Sequence, residues 1–358
     1  MQRKDSILDS FNIKPAGRRG GAGGTPKGPE KPKVQSTFDS KDLKNIELIV
    51  NKIIRKISTT DLRDSIARLD ADGIGGAEVA EQLLRATPCF ESDRVRKVKG
   101  LRLGEGESLA IPDQFVLDVV DQVPQIQDRL RVMTFQIAFP EQETRARGLL
   151  ETFLACCDEL LTSARYRMLL TQVVLPLNNM LSGDSLSGFK VRDLPKLKAT
   201  KNSQGKTFLD VVVEFCLGDG QCPLLVDLDG DFETLRRTPV ALLELSDIKR
   251  SVNDLRAEMT PLRRLANASK AAPEGPMVQE MLQDAEGRIK DVEELLSDAE
   301  QSCGKLYEYI SQDKSETTPK EVFANIQVFL KDVKKAVDVG MRRRRAQERE
   351  AAKQARLK

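Results

Sequence analysis

Between residues 188 and 207 the chain sets five lysines and one arginine against a single acid, Asp193. Phe189, Val191, Leu194 and Leu197 thread an apolar frame through these cations. A cluster of fixed positive charge steers and holds a large, negatively charged partner. Bond-making chemistry is harder to find. Histidine is absent from all 358 residues, which removes the commonest general base and the commonest metal ligand. The cysteines Cys89, Cys156, Cys157, Cys216, Cys222 and Cys303 show no CxxC spacing, so no zinc site is expected. They read as buried free thiols of a reducing compartment. No nucleophile–base constellation stands out. The chain is read as a non-enzyme without metal or cofactor.

Three further loops are weaker still. Gly17–Gly24 lacks the Gly-Lys-Ser/Thr ending of a phosphate cradle. Asp227-Leu-Asp-Gly-Asp231 has its glycine out of place for calcium, and Asp70-Ala-Asp-Gly73 lacks the closing Glu. All three read as solvated turns or linker.

These cations need a scaffold to hold them. Charged residues make up 31% of the chain, yet the net charge is only +2. The two signs are therefore interleaved, as on long solvated helices. Residues 1–37 are rich in Gly, Pro and basic residues and read as a flexible linker. Ile7, Leu8 and Phe11 are the only apolar cluster before it. From Ser40 the period is helical. Leu43, Ile46, Ile49, Val50, Ile53, Ile54 and Ile57 fall on one face. Leu48 falls on the other, among Lys44, Lys52 and Arg55; a stray surface leucine and a contact residue are equal readings at this point.

Shorter helices are predicted over Thr60–Leu69, Gly76–Ala86 and Pro112–Val123. A longer one runs from Pro124 to Phe139. Pro140 suits the first turn of the next, reaching Ala164. Arg165–Leu181 is apolar enough to be buried. Two seams then alternate steps of three and four. One is Ala241, Leu245, Ile248, Val252, Leu255, Met259, Leu262, Ala266. The other is Val278, Leu282, Ala285, Ile289, Val292, Leu296, Ala299, Cys303, Leu306, Ile310. Such heptads predict coiled-coil-like packing, and the short connection Asn267–Pro276 predicts an antiparallel hairpin. Pro261 predicts a break in the first seam. Thr318-Pro319-Lys320-Glu321 is a capping box that opens a helix burying Val322, Ile326, Phe329, Val333 and Val337. This helix leads to Arg342–Arg345 and a mixed tail. No strand is predicted; Phe208–Phe215 is β-branched but also fits a buried helix. The fold class is all-α. No apolar run approaches the length of a membrane span and no signal peptide is visible, so the expected location is cytoplasmic.

The order of these features resembles the formin homology-2 domain of actin-assembling formins. Leu177-Asn-Asn-Met-Leu-Ser-Gly183 is similar to the family's Gly-Asn-Tyr-Met/Leu-Asn-x-Gly signature. Gly188-Phe-Lys190 follows it. Leu194-Pro-Lys-Leu-Lys-Ala-Thr-Lys201 matches Leu-x-Lys-Leu-x-x-Thr-Lys. Asn45–Val50, Val123–Arg131, the heptad hairpin, the Thr318–Phe323 helix and the arginine-rich end match less specifically. The resemblance covers about residues 38–345. It implies an elongated multi-helix domain with knob, coiled-coil-like bundle and post subdomains, preceded by a linker with a lasso remnant (1–37) and followed by a charged tail (346–358).

The resemblance further implies an actin-binding assembly factor of the cytoskeleton, acting at filament barbed ends in nucleation and elongation of unbranched filaments. Leu48 aligns with the family's exposed aliphatic knob contact, and Lys201 with its second key contact. Lys190, Arg192, Lys196 and Lys198 would hold acidic actin beside Lys201, and Arg129 and Arg131 match a basic strip. Asn178, Gly183, Gly188 and Phe189 match residues that receive a partner subunit's lasso. The chain departs from the family at Leu177, Asn179 and Leu181. It has no tryptophan, which the lasso normally carries, and residues 5–14 match only a lasso's tail. Either the chain is truncated or the homodimer closes differently. The family's polyproline segment is also missing. The alternative is a helical scaffold that binds actin sides, microtubules or acidic membrane through the tail. Nucleic acid is disfavoured, because no aromatics interleave the basic segments.

Overall fold

The structure, a computed structural model, describes residues 34–183, 185, 188, 190–218, 225, 228, 230–311 and 316–357. Residues 5–14, Phe189, Cys222, Asp227 and Asp229 lie outside the described residues.

An N-terminal lobe starts at β1 (Val34–Gln35), which pairs in parallel with β2 (Ser108–Leu109). The sequence predicts no strand, because two residues are too few to leave an alternation. Helix α1 (Ser40–Ile54) is capped by Asp39, whose carboxylate accepts from the backbone of Lys41 and Asp42. It buries Ile46, Val50 and Ile53, and half-buries Leu43, Ile49 and Ile54. Ile57 lies past its end but packs on the same core. Helices α2 (Thr59–Arg68), α3 (Ala77–Leu84) and α4 (Arg94–Lys99) follow. The expected 112–123 helix is α5 (Ile111–Phe115) running into a π turn at Val116–Val120.

The rod of the molecule is α6 (Ile126–Thr162), one helix of 37 residues with Pro140 inside it. The predicted break at Pro140 is not there. Proline removes one backbone hydrogen bond, and Pro140 lies on the exposed side of the helix. On the opposite side Phe135 and Phe139 stack at 4.7 Å in the buried seam. That packing carries the helix through.

A C-terminal lobe gathers at the far end of α6. It holds α7 (Ala164–Met168), a π turn at Leu169–Val174 and α8 (Leu175–Ser182). A 3₁₀ stretch at Val191–Lys198, α9 (Phe208–Gly218) and α10 (Glu233–Arg237) complete it. Arg165–Leu181 is not wholly buried as predicted. Tyr166, Leu169, Val173, Val174 and Leu177 are inside, but Met180 and Leu181 face water.

Helices α11 (Leu245–Glu258) and α12 (Thr260–Ala268) break at Pro261 as predicted. They lie antiparallel to α13 (Gly275–Ile310). Ion pairs mark the register: Arg263–Glu286 at 3.0 Å, Arg256–Glu293 at 3.4 Å and Lys249–Glu300 at 2.6 Å. One number falls by seven as the other rises by seven. Ala241 does not belong to the seam. It is exposed in a 3₁₀ turn at Val240–Leu242, before α11 begins.

Helix α6 joins this hairpin in parallel with α13. Arg129–Glu274, Gln136–Met281 and Glu143–Arg288 are each separated by 145 residues and follow one another at heptad steps. A constant offset means the two helices run the same way at one pitch. Helix α14 (Pro319–Leu357) closes the C-terminal lobe. Its capping box is made as predicted: Thr318 N–H donates to Glu321 Oε2 at 2.8 Å, and Glu321 N–H to Thr318 Oγ1 at 3.3 Å. Val322, Phe323, Ile326, Phe329, Leu330 and Val333 are buried, and Val337 is half-buried. The tail is no separate segment, because α14 continues through Arg342–Arg345 to Leu357.

Candidate functional site

Leu48 stands out on the N-terminal lobe. Helix α1 turns three isoleucine/valine positions into the core, and Leu48 projects from the far side at 76% exposure. Lys44, Lys52 and Arg55 around it are exposed too. An apolar side chain ringed by charges on a well-anchored helix needs little ordering if it is covered.

The C-terminal lobe presents the basic stretch. The 3₁₀ segment Val191–Lys198 turns Val191, Leu194 and Leu197 inward against α14 and leaves Arg192, Lys196 and Lys198 outside. Three of the cations already have carboxylates. Lys190 meets Glu316 at 2.8 Å, Lys196 meets Asp193 at 2.6 Å, and Lys198 meets Asp332 at 2.7 Å. Lys206 also pairs, with Glu214 at 2.8 Å. Arg192 and Lys201 are exposed and have no side-chain partner among the described residues. Lys201 sits at the base of a tight turn. Its backbone bridges Thr207, Phe208 N–H donates to Thr200 O at 2.8 Å, and Asn202 Oδ1 accepts from the backbone of Gln204 and Lys206. Gly205, at φ +76°, supplies the left-handed step. The lysine's backbone is therefore fixed while its ammonium stays in water.

The other sequence-predicted residues fall elsewhere. Arg129 does not serve a contact strip. It is buried, donating from Nε to Pro124 O at 3.0 Å and from Nη1 to Ala67 O at 2.6 Å, and pairing with Glu274. A buried guanidinium that bonds Pro124 O, Ala67 O and Glu274 is a joint between the N-terminal lobe, the rod and the hairpin tip. Burial pushes the Glu274 carboxyl up, but the Arg129 hydrogen bond and a backbone bond outweigh it and hold Glu274 below the usual range. Arg131 is exposed and beside the same joint. Asn178 is half-buried on α8 and Gly183 ends that helix in the left-handed region at φ +74°. Gly188 lines a groove of about 600 Å³ with Lys190, Tyr166, Tyr309 and Arg167. That groove was not legible in the sequence, because its walls come from α7, α13 and the 3₁₀ stretch. Exposed Met180 and Leu181 on α8 and Phe215 on α9 were also missed. All three sit in segments whose apolar content read as core.

The lobes attach to opposite ends of α6. Arg129 bonds to Ala67 of α2 at one end, and Glu159 accepts from Thr234 and Leu235 of the C-terminal lobe at the other. Thirty residues of helix put these joints about 45 Å apart. The groups of three or more Cys, Asp or Glu that would hold a metal ion are absent among the described residues. Five described cysteines are free and buried. Burial pushes the thiols of Cys89 and Cys156 up to about 12, so neither is a ready nucleophile. No helix among the described residues is long and apolar enough to cross a membrane.

A helical rod with a lobe at each end, one showing an exposed leucine and the other a basic stretch, defines an elongated multi-helix scaffold. The chain belongs to the Formin Homology 2 Domain family, whose profile matches residues 3–334. Among curated proteins it is 26% identical over 314 residues to Disheveled-associated activator of morphogenesis 2 of Gallus gallus, covering 86% of this chain and 28% of that protein. It is 27% identical over 321 residues to Formin-like protein 18 of Arabidopsis thaliana, covering 87% and 27%. Disheveled-associated activator of morphogenesis 1 of Homo sapiens matches at 23% over 317 residues, covering 86% and 28%. The chain thus spans little more than a quarter of the length of these relatives.

Proposed function

We propose that this chain is an actin-binding assembly module that engages filament barbed ends and promotes nucleation and elongation of unbranched filaments. It would do so in the cytoplasm, as part of the cytoskeleton. The observation that carries this reading is the placement of exposed Leu48 and unpaired Lys201 on lobes at opposite ends of one rigid helix. Leu48 would seat in an apolar cleft as an anchor within a charged rim. Lys201 and Arg192 would hold an acidic face, Lys190 and Lys196 would exchange their exposed carboxylates for it at little cost, and Lys198 would leave the largely covered Asp332 to join them. Two lobes joined to one helix at points about 45 Å apart suit neighbouring subunits of a polymer, and linking weak sites raises effective concentration, which nucleation needs. No bond is made or broken.

A second copy of the chain would double the bridge. Asn178, Gly183, Gly188 and Phe189, with the groove beside Gly188, are the proposed receiving residues. We assign the domain to residues 38–345, with 1–37 as its tether. Pyrene-actin assembly tests the reading. The wild-type chain should shorten the lag, and the Leu48→Asp/Lys201→Asp double variant should not, while keeping its helical circular dichroism. Unchanged assembly kinetics in a folded double variant would sink the proposal.

A further inference from the structure

The N-terminal segment enters its lobe through a buried polar latch. Asp113 is fully buried at the start of α5. Its Oδ2 accepts from the Ser36 hydroxyl at 2.6 Å. Its Oδ1 accepts from the Thr37 hydroxyl at 2.6 Å and from Thr37 N–H at 3.0 Å. Arg94 lies close by but spends its donors on the carbonyls of Thr37 and Pro88, both at 2.9 Å, and on Glu91, with its guanidinium over the Phe38 ring. No cation pairs with Asp113 among the described residues. A buried carboxylate is thus satisfied by neutral donors from two adjacent residues. Beyond the latch, residues 34–38 are held among the described residues by the two-residue strand pair, Ala110 N–H to Gln35 O, Gln35 to Glu107, Arg94 to Thr37 O, Phe38 N–H to the Ser36 hydroxyl oxygen, and the Phe38 contacts.

Ser36 is half-exposed, and Lys31 and Lys33 precede it by five and three positions. Kinases with acidic substrate clefts read that charge pattern. We propose that Ser36 is a phosphorylation site for a basophilic serine/threonine kinase, and that its phosphate springs residues 34–38 from Asp113. The Ser36 oxygen attacks the γ-phosphorus of ATP, the bond to the β-phosphate oxygen breaks, ADP leaves, and the hydroxyl proton passes to the kinase's base. The donor facing Asp113 becomes a group of charge about −1.5 to −2. It then confronts a buried carboxylate that no cation pairs with, while the nearby Arg94 is already engaged by Glu91 and the Thr37 and Pro88 carbonyls, an arrangement that low dielectric punishes heavily. Release frees five residues into the preceding tether and lengthens its reach by up to roughly 17 Å. The inference stands on the N-terminal lobe alone and does not depend on the actin reading.

The test treats the full chain with the catalytic subunit of cAMP-dependent protein kinase and magnesium ATP, followed by mass spectrometry and hydrogen–deuterium exchange. One phosphate is expected on Ser36, with the amides of residues 35–38 and 110 exchanging at least tenfold faster than in the unmodified chain. Ser36→Ala should take no phosphate there and keep slow exchange after the same treatment. In Asp113→Asn, which removes the repelled charge, phosphorylation should accelerate exchange less than in wild type. No phosphate at Ser36 of the folded chain, phosphate on Thr37 instead, or phosphorylated Ser36 with exchange within twofold of the unmodified chain would overturn it.

Discussion

The two ends of the rod meet water with opposite kinds of surface. The N-terminal lobe shows its most exposed large apolar side chain, Leu48, in a field of charge, and none of the described residues buries it. The C-terminal lobe shows a dense basic stretch, yet folding brings Glu316 and Asp332 of distant sequence against it and leaves Arg192 and Lys201 unpaired among the described residues. Burying a leucine is worth about 1.5–3 kcal/mol, whereas an exposed ion pair is worth about 0–1 kcal/mol. A solitary exposed leucine on an anchored helix is therefore the sharper sign of a contact. A basic run is the sharper sign of an approach path. On the proposed reading, affinity falls to one lobe and steering to the other.

That division requires both lobes to be fixed to the rod, so the largest effect is expected at the joint. Arg129→Ala strands half-buried Glu274 and two internal carbonyls, Pro124 O and Ala67 O, and should cost about 3–5 kcal/mol, read as a lower urea midpoint. The same joint gives a pH dependence. Glu274 is held below the usual range, as is Glu143, where burial pushes up but Arg288 and Arg147 outweigh it. A carboxyl with a depressed folded pKa stabilises above its unfolded value, about 4.3, and that contribution is lost as pH falls through the folded value. Wild-type melting temperature should drop on acidification below about pH 4. The drop should be shallower in Arg129→Ala, measured by circular dichroism.

Leu48→Asp comes next and strikes the comparison directly. It should remove at least about 2 kcal/mol of barbed-end affinity, about 30-fold, in a seeded elongation assay. Folding stability should stay within about 0.5 kcal/mol, because nothing packs on the side chain. A loss of stability in place of affinity would make Leu48 a structural residue and leave the N-terminal lobe without its contact. On the other lobe, Gly340→Val is expected to cost about 1–2 kcal/mol. A Cβ at Gly340 would meet Val213 Cγ1 at 2.8 Å and Leu217 Cδ1 at 3.1 Å, where α14 crosses α9. A thermal melt reads it, and activity should fall only as Lys201 loses its frame.

The heptad hairpin is the most legible part of the sequence, and the contrast has a physical cause. Heptad seams encode a repeated contact, so the sequence alone places Val278 through Leu306 inside, where they are. Leu48 was legible for the same reason, as the exception to a strong period. Pro140 was misread because the local rule for proline ignores the Phe135–Phe139 seam beneath it. Arg129 was misread because its acceptors, Ala67 O and Glu274, come from other parts of the chain. The basic stretch was legible as charge but not as pairing. Lys190 and Lys198 find their carboxylates 126 and 134 residues away, and only the tertiary fold could show which lysine stays free.

The smallest effects decide whether pairing within the fold matters. Lys201→Ala should weaken actin engagement by about 1 kcal/mol, about fivefold, and the loss should shrink as salt is raised, because the contact is exposed. Lys198→Ala should change affinity less than twofold. Its ammonium already rests on Asp332, a carboxylate only 10% exposed, so engaging actin means giving up one favourable contact for another of similar worth. Removing Lys198 also uncovers Asp332, which adds a negative charge to the approach path and should slow association more than it speeds release. Stopped-flow binding separates the two rates. If Lys198→Ala proved as damaging as Lys201→Ala, with the effect in dissociation, the paired lysines would be contacts in their own right. The C-terminal lobe would then share the affinity that the comparison gives to Leu48.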